Sequence, residues 1–426
     1  MNHTPDDPQP VAPLDRVEAA AGQGRMIDLL RVPAFRRLWI GVLIGAFGGW
    51  SERLAVSWFV FNATGSVLLT GLVATAQYAQ NMFLGPIAGA VSDRYPRNRI
   101  LTIAATLKIV AVLSIAALVR LPSPPLVVLF LLITLSAACG TFNGAALQTL
   151  ASEIAGSARR ARATSLVSSG QRAVAAVGAL TSGFLIGWGG VSSSVLLSAI
   201  MLGLAAFVYS GLRDPRTPGH ASRRSLAAET VEGLQLVRHQ PILATLLGLA
   251  AAAEVFGFSY QSLLPALAER VLGVGAFGFG ALSGVASVGS VAATLWLAAV
   301  GNRVRHGALL IAVFAVFGTL LIALGASRIY LLSMGIAIGL GACTAIVDTL
   351  ELIMLQSAVE ERLRGRAVGA WNAAFGLGWM GPLILGAIAD AVSLPVAYTF
   401  AGCMLLAIAA GTAVGAPRLR GASNRG

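Results

Sequence analysis

Seven ionisable side chains interrupt stretches that are otherwise apolar: Glu52, Arg53, Lys108, Arg172, Glu254, Asp348 and Glu351. A charge at the centre of a hydrocarbon layer costs roughly 3 kcal/mol, so each is read first as functional. Carboxylates there can exchange protons, and cations can hold anionic groups. Glu254 lies about twelve residues into its stretch, near mid-depth, and is the first candidate for proton coupling. Glu52 is the second, about 21 Å along its helix at 1.5 Å per residue. Adjacent helical residues point about 100° apart, so Glu52 and Arg53 need not pair. The competing reading makes either glutamate a fixed partner of Arg53 or Arg172. Asp348 and Glu351, at i and i+3, share a helix face and would titrate as a coupled pair. Alternatively they bridge toward Arg362, Arg364 and Arg366, as long side chains near a span end do. Arg172, near mid-depth, suits an anionic substrate group or a counter-ion for Glu52, and Lys108 is expected to snorkel.

The elements that must position these residues follow from composition. The chain has 426 residues, 56% hydrophobic and 11% charged, with mean hydropathy +0.79. Such a surface cannot be solvated, which predicts an all-α, polytopic membrane protein. At about 20–25 residues per span, twelve helices fit. Apolar runs place them over about 38–62, 67–92, 100–121, 126–150, 163–188, 191–211, 242–267, 276–300, 308–326, 329–355, 367–389 and 395–416. Residues 1–35 read as a polar tail, with an amphipathic interfacial helix over 26–39. Residues 36–211 and 241–416 read as two six-helix bundles. A charged linker over 212–240 joins them, and residues 417–426 form a second tail. The net charge of +12 sits in short loops, without the aromatic interleaving of a nucleic-acid surface. With both termini cytoplasmic, loop arginines concentrate inside, leaving Arg120, Arg270 and Arg328 outside. Cys139, Cys343 and Cys403 all fall in apolar spans and the four histidines lack ligand spacing, so neither disulfide nor metal site is expected. The first residues hold no apolar core of a cleavable signal.

The halves repeat. Phe47, Gly71 and Asp93-Arg94 recur 209 residues on as Phe256, Gly280 and Asn302-Arg303. Cys139, Arg160 and Arg162 recur 204 residues on as Cys343, Arg364 and Arg366. A parallel repeat of this kind places a binding site between the halves near the midplane.

Residues 85–99, GPIAGAVSDRYPRNR, run from a glycine-bearing apolar helix into Asp93, Arg94, Arg97 and Arg99. Gly85 and Gly89 share a face and would let a neighbouring helix approach. This spelling resembles the loop between helices 2 and 3 of major facilitator superfamily transporters. The segments LLRVPAFRRLWIG, ETVEGLQLVRHQPIL, VEERLRGRAVGAWN and GPLILGAIAD further resemble the enterobactin-exporter-like, or transmembrane secretion effector, branch. The resemblance implies an inner-membrane exporter of small drug- or siderophore-like amphiphiles, working by rocker-switch alternating access with proton antiport. It implies that Asp93, Arg94 and their repeat counterparts Asn302 and Arg303 form a gating latch. The helix-4 arginine and helix-5 Gly-Pro pair of many drug antiporters are absent; Gly178-Ala179 stands in the latter place.

Arg53, Arg172, Gln77, Asn81, Tyr260, Gln261 and Asn372 are the candidates for the cavity wall. A sparse amide lining suits an amphiphilic or aromatic solute better than a sugar. The expected partners are that solute, protons and the bilayer, with the chain acting as a monomer and no cofactor. Rivals are an importer or symporter on the same fold, and a non-transporting sensor built on it. No nucleotide loop or nucleophile elbow argues for an enzyme or an ATP-driven pump.

Overall fold

The computed structural model describes residues 26–156, 159–212, 241–300, 304–360 and 363–415, and their regular elements are all helical. In hydrocarbon the backbone must satisfy its own hydrogen bonds, and a helix does so within one segment. The long helices are α1 (Pro33–Thr64), α2 (Val67–Arg94), α3 (Arg97–Leu118), α4 (Leu126–Ala155) and α5 (Arg160–Ser210). After the linker come α6 (Pro241–Ala252), α7 (Gly275–Val300), α8 (His306–Ala326), α9 (Tyr330–Ser357), α10 (Arg364–Gly376), α11 (Met380–Ala391) and α12 (Leu394–Gly415). Among the described residues nine stretches are long and apolar enough to cross a membrane, making this a multi-pass membrane protein. The expected linker, 212–240, lies outside the described residues but for Leu212, and so does the tail at 417–426.

No separate interfacial helix forms over 26–39. Residues Met26–Arg31 make a short 3-10 turn, and α1 then starts at Pro33, whose missing N–H costs nothing at a helix start. The reason is packing. Phe35 and Leu38 are fully buried, the Trp39 indole donates to the Leu166 carbonyl at 3.1 Å, and Arg37 donates to the Gly211 carbonyl at 2.9 Å. α1 therefore begins three residues before the expected start of the bundle at 36.

The long α5 is two limbs. Gly190 takes φ 75°, ψ 173°, which reverses the chain between positions 188 and 191. Ser182 and Ser194 hydroxyls then meet at 2.6 Å, whereas twelve residues of straight helix would hold them about 18 Å apart.

The stretch after α6 departs most from regularity. A π turn spans Ala253–Gly257, a 3-10 segment spans Phe258–Leu263, and a second π turn spans Leu267–Val271. Pro265 supplies no N–H, and the Leu264 N–H serves the Gln261 carbonyl instead. Ser259 donates its hydroxyl to the Glu254 carbonyl at 2.9 Å.

Two repeat-related glycines make the tightest approaches between the halves of the chain. Gly71 of α2 faces the Pro382 backbone of α11. Gly280 of α7 faces α5, where an added Cβ would stand 2.7 Å from both the Ala179 carbonyl oxygen and the Gly183 Cα. Small residues serve because close van der Waals packing, not hydrophobic exclusion, joins helices in lipid. A Gly280→Val change should force α5 and α7 apart and lower stability by about 1–3 kcal/mol. Thermal melting of the purified protein in detergent checks this, and an unchanged midpoint would refute the close approach.

Candidate functional site

A cavity of about 680 Å³ lies between α1, α2, α4 and α5 on one side and the broken stretch after α6, α7 and α9 on the other. Its size is that of an ordinary small-molecule pocket. Glu52, Arg53, Gln77, Asn81, Arg172, Glu254, Tyr260, Gln261 and Asp348 all line it. Asn372, expected in the wall, does not, and neither does Glu351, the expected titrating partner of Asp348. Asn372 is exposed on α10 away from the cavity wall, and Glu351 is buried one turn past Asp348, accepting a 3.3 Å hydrogen bond from the Trp371 indole.

The charges sort into pairs that spacing along the chain does not reveal. Lys108 Nζ of α3 sits 3.3 Å from Glu52 Oε2 of α1, and the Ser136 hydroxyl of α4 donates to Glu52 Oε1. Lys108 therefore turns to a buried carboxylate and does not snorkel. Arg172 Nη2 of α5 lies 2.9 Å from Asp348 Oδ2 of α9, so its partner is Asp348 and not Glu52. That pair ties the two halves across the cavity. Arg53 stands over the rings of Trp50 and Tyr78, at 5.0 and 5.5 Å from their centroids. Glu254 sits in the first π turn, 4% exposed, and its carboxyl has no ion pair or hydrogen bond among the described residues. Irregular backbone at membrane depth is tolerated where it lines a polar cavity, and π turns recur at functional positions.

The two ends of the molecule differ. At the end marked by Gly65, Asp390 of α11 accepts from the Ser66 hydroxyl at 2.6 Å and from the Val67 and Leu68 N–H groups at 2.9 Å each. A carboxylate thus satisfies N–H groups that the first turn of α2 leaves open, at the positive end of its dipole. Arg270 bonds the Gly65 carbonyl and stacks 5.1 Å over Phe61. A Cβ on Gly386 would stand 2.8 Å from Leu68 Cα, so this end is closed. Asn81, Ser168 and Gln171, lining the cavity away from that end, are exposed, and the cavity opens toward them.

At the opposite end the 85–99 motif differs from expectation in two places. Gly85 faces open space, with nothing within 4 Å of an added Cβ. Arg97, 1% exposed, pairs with Glu153 at the end of α4, within the same half of the chain. Gly89 is half-buried, and Arg94 and Arg99 are exposed. The Asp93 side chain, Asn302 and Arg303 lie outside the described residues. Asp390 and Ser136 are the side chains here that sequence reasoning missed, and Lys108, noticed as a charge within a span, was assigned to snorkelling and not to Glu52. Only Asp390 had a signal, as an acid closing an apolar helix.

A multi-pass helical protein that encloses a charged cavity between its halves belongs to the class of membrane solute transporters. More specifically, this chain belongs to the Major Facilitator Superfamily, whose profile matches residues 38–339. It is 21% identical over 367 residues to the staphyloferrin A transporter of Staphylococcus aureus (strain NCTC 8325 / PS 47), covering 85% of this chain and 91% of the relative. It is 25% identical over 379 residues to the enterobactin exporter EntS of Shigella flexneri, covering 87% and 88%. Among solved structures, an auto-inhibited POT family peptide transporter superposes with TM-score 0.72 at 12% identity, covering 92% of this chain and 98% of that one. A bacterial homologue of the lysosomal transporter Spinster, inward-facing and unoccupied, gives TM-score 0.67 at 14% identity, covering 91% and 96%.

Removing one member of a buried ion pair strands the other. Lys108→Met should therefore cost about 3–5 kcal/mol, and adding Glu52→Gln should recover most of it. Melting of the single and double variants in one detergent checks the pair; equal loss in both would refute it.

Proposed function

We propose that the chain is a secondary active exporter of small siderophore- or drug-like amphiphiles, working by rocker-switch alternating access with proton antiport. Counting α1, α2 and the two limbs of α5 beside the other apolar stretches gives twelve spans, in six-helix bundles over residues 36–211 and 241–416. The positive-inside rule puts both termini in the cytoplasm of an inner-membrane protein. The Gly65 end then faces outward and the cavity opens to the cytoplasm, so this is the inward-facing form of a carrier, acting as a monomer. The observation that carries the reading is Glu254: a buried carboxyl, in a broken helix, bordering the cavity with no ion pair or hydrogen bond among the described residues. A group so placed can bind a proton without first breaking an ion pair. Glu52 and Asp348, each held by a cation, serve as fixed structural charges.

Proteoliposomes loaded with a pH-sensitive dye test the coupling, with enterobactin and staphyloferrin A as first solutes. Solute-dependent proton movement should fall at least roughly tenfold in Glu254→Gln while solute binding is retained. Proton-independent transport that survives both Glu254→Gln and Glu52→Gln would overturn antiport.

The Asp390 contact is the outward closure in this scheme. In a background with Cys139, Cys343 and Cys403 replaced by serine, Ser283→Cys should react slowly with an impermeant maleimide added outside. Asp390→Ala should speed that labelling several-fold, since loss of two or three charge-assisted hydrogen bonds shifts a balanced two-state equilibrium. Unchanged labelling would show that Asp390 does not hold the outer side shut.

A further inference from the structure

Three cations line the cavity, and two of them are neutralised by the protein: Lys108 by Glu52 at 3.3 Å and Arg172 by Asp348 at 2.9 Å. Arg53 is different. Among the described residues it meets no carboxylate; its guanidinium lies over the Trp50 and Tyr78 rings instead. An arginine stays charged at any accessible pH, and a charge at this depth is costly unless something balances it. Ring contact supplies only about 0.5–2 kcal/mol of attraction, too little to balance a full charge. One of its N–H donors is shared with the Tyr78 hydroxyl, and among the described residues the others meet no acid, so the guanidinium can still grip a carboxylate by two parallel bonds. Glu254 is the other carboxylate or cation of the lining without an ion pair among the described residues, and it does not pair with Arg53.

We propose that Arg53 is the anion subsite of the cavity, holding a carboxylate of the transported solute in the plane of its guanidinium. Trp50 and Tyr78 keep the guanidinium over their rings, so its fork is oriented before the solute arrives. The solute class is then narrower than amphiphile: a small organic acid whose carboxylate is attached to a flat or apolar body. Gln77, one turn before Asn81 on α2, lines the same wall and can serve polar atoms beside the acid. The assignment rests on the cavity being the solute site, as proposed above.

The test compares a matched pair of probes, 2-naphthoate and 2-naphthamide, which differ in charge and little in shape. Equilibrium binding is measured to the full chain in lipid nanodiscs, for wild type, Arg53→Gln and Arg53→Lys. Wild type should bind the carboxylate roughly tenfold more tightly than the amide, the strength of one charge-assisted contact. Arg53→Gln should bring the two probes level with the amide affinity unchanged, and Arg53→Lys should keep part of the preference through charge without the fork. A wild type with no preference, or with no saturable naphthoate binding up to millimolar concentration, overturns the proposal. A preference that persists in Arg53→Gln overturns it too. If Arg53→Gln loses both probes, Arg53→Lys decides: a retained carboxylate preference supports the subsite, and none refutes it. Uptake of radiolabelled 2-naphthoate into proteoliposomes separates the two readings. Arg53-dependent binding without uptake removes transport and leaves the subsite, while uptake equal in wild type and Arg53→Gln removes the subsite and leaves transport.

Discussion

Lys108 and Glu52 lie 3.3 Å apart in the cavity wall because hydrocarbon offers neither of them a substitute for water. An isolated ion at that depth is costly, and partnership or access to a polar cavity are the two remedies. The interior follows from that constraint. α1, α3 and α4 converge where Glu52 needs both a cation and the Ser136 hydroxyl. α5 and α9 meet across the cavity through Arg172 and Asp348. Arg53 and Glu254, which meet no ion-pair partner among the described residues, take the second remedy and line the cavity.

The same dry surroundings explain how the halves of the chain hold together. Apolar side chains gain nothing by leaving lipid for one another, so association depends on backbones coming close. Gly71 against Pro382 and Gly280 against Gly183 provide that at positions 209 residues apart, one in each half. Both contacts lie toward the Gly65 end, and there Asp390 adds a directional closure by capping α2. Among the described residues, packing is thus tight at the Gly65 end, and the cavity opens away from it. Contacts of a few hydrogen bonds can be exchanged for others without unfolding either half, as the alternating access proposed above requires.

Backbone irregularity is confined to the place that uses it. The segment from Ala253 to Val271 passes through π and 3-10 turns while the long helices around it stay regular. Ser259, and the Leu264 N–H at Pro265, take up backbone groups that the broken ladder frees. Glu254, Tyr260 and Gln261, all within this stretch, line one cavity.

The sequence by itself determined much of this protein. Long apolar runs leave the backbone no alternative to helices, and the reversal at Gly190 falls between the runs that composition separates. The ionisable residues within those runs were legible as the ones to watch, because so few charges are tolerated there. The repeat marked Gly71 and Gly280 as equivalent without saying what either touches. Partnership was decided only by the tertiary structure. Lys108 finds Glu52 from 56 residues away and Arg172 finds Asp348 from 176 away, while adjacent Glu52 and Arg53 part because neighbours on a helix point in different directions. The buried pairing of Arg97, the exposure of Asn372 and the capping role of Asp390 were hidden for the same reason. One-dimensional pattern fixes which face of its own helix a side chain occupies, but the cost of a charge is set by what the other helices bring to that face.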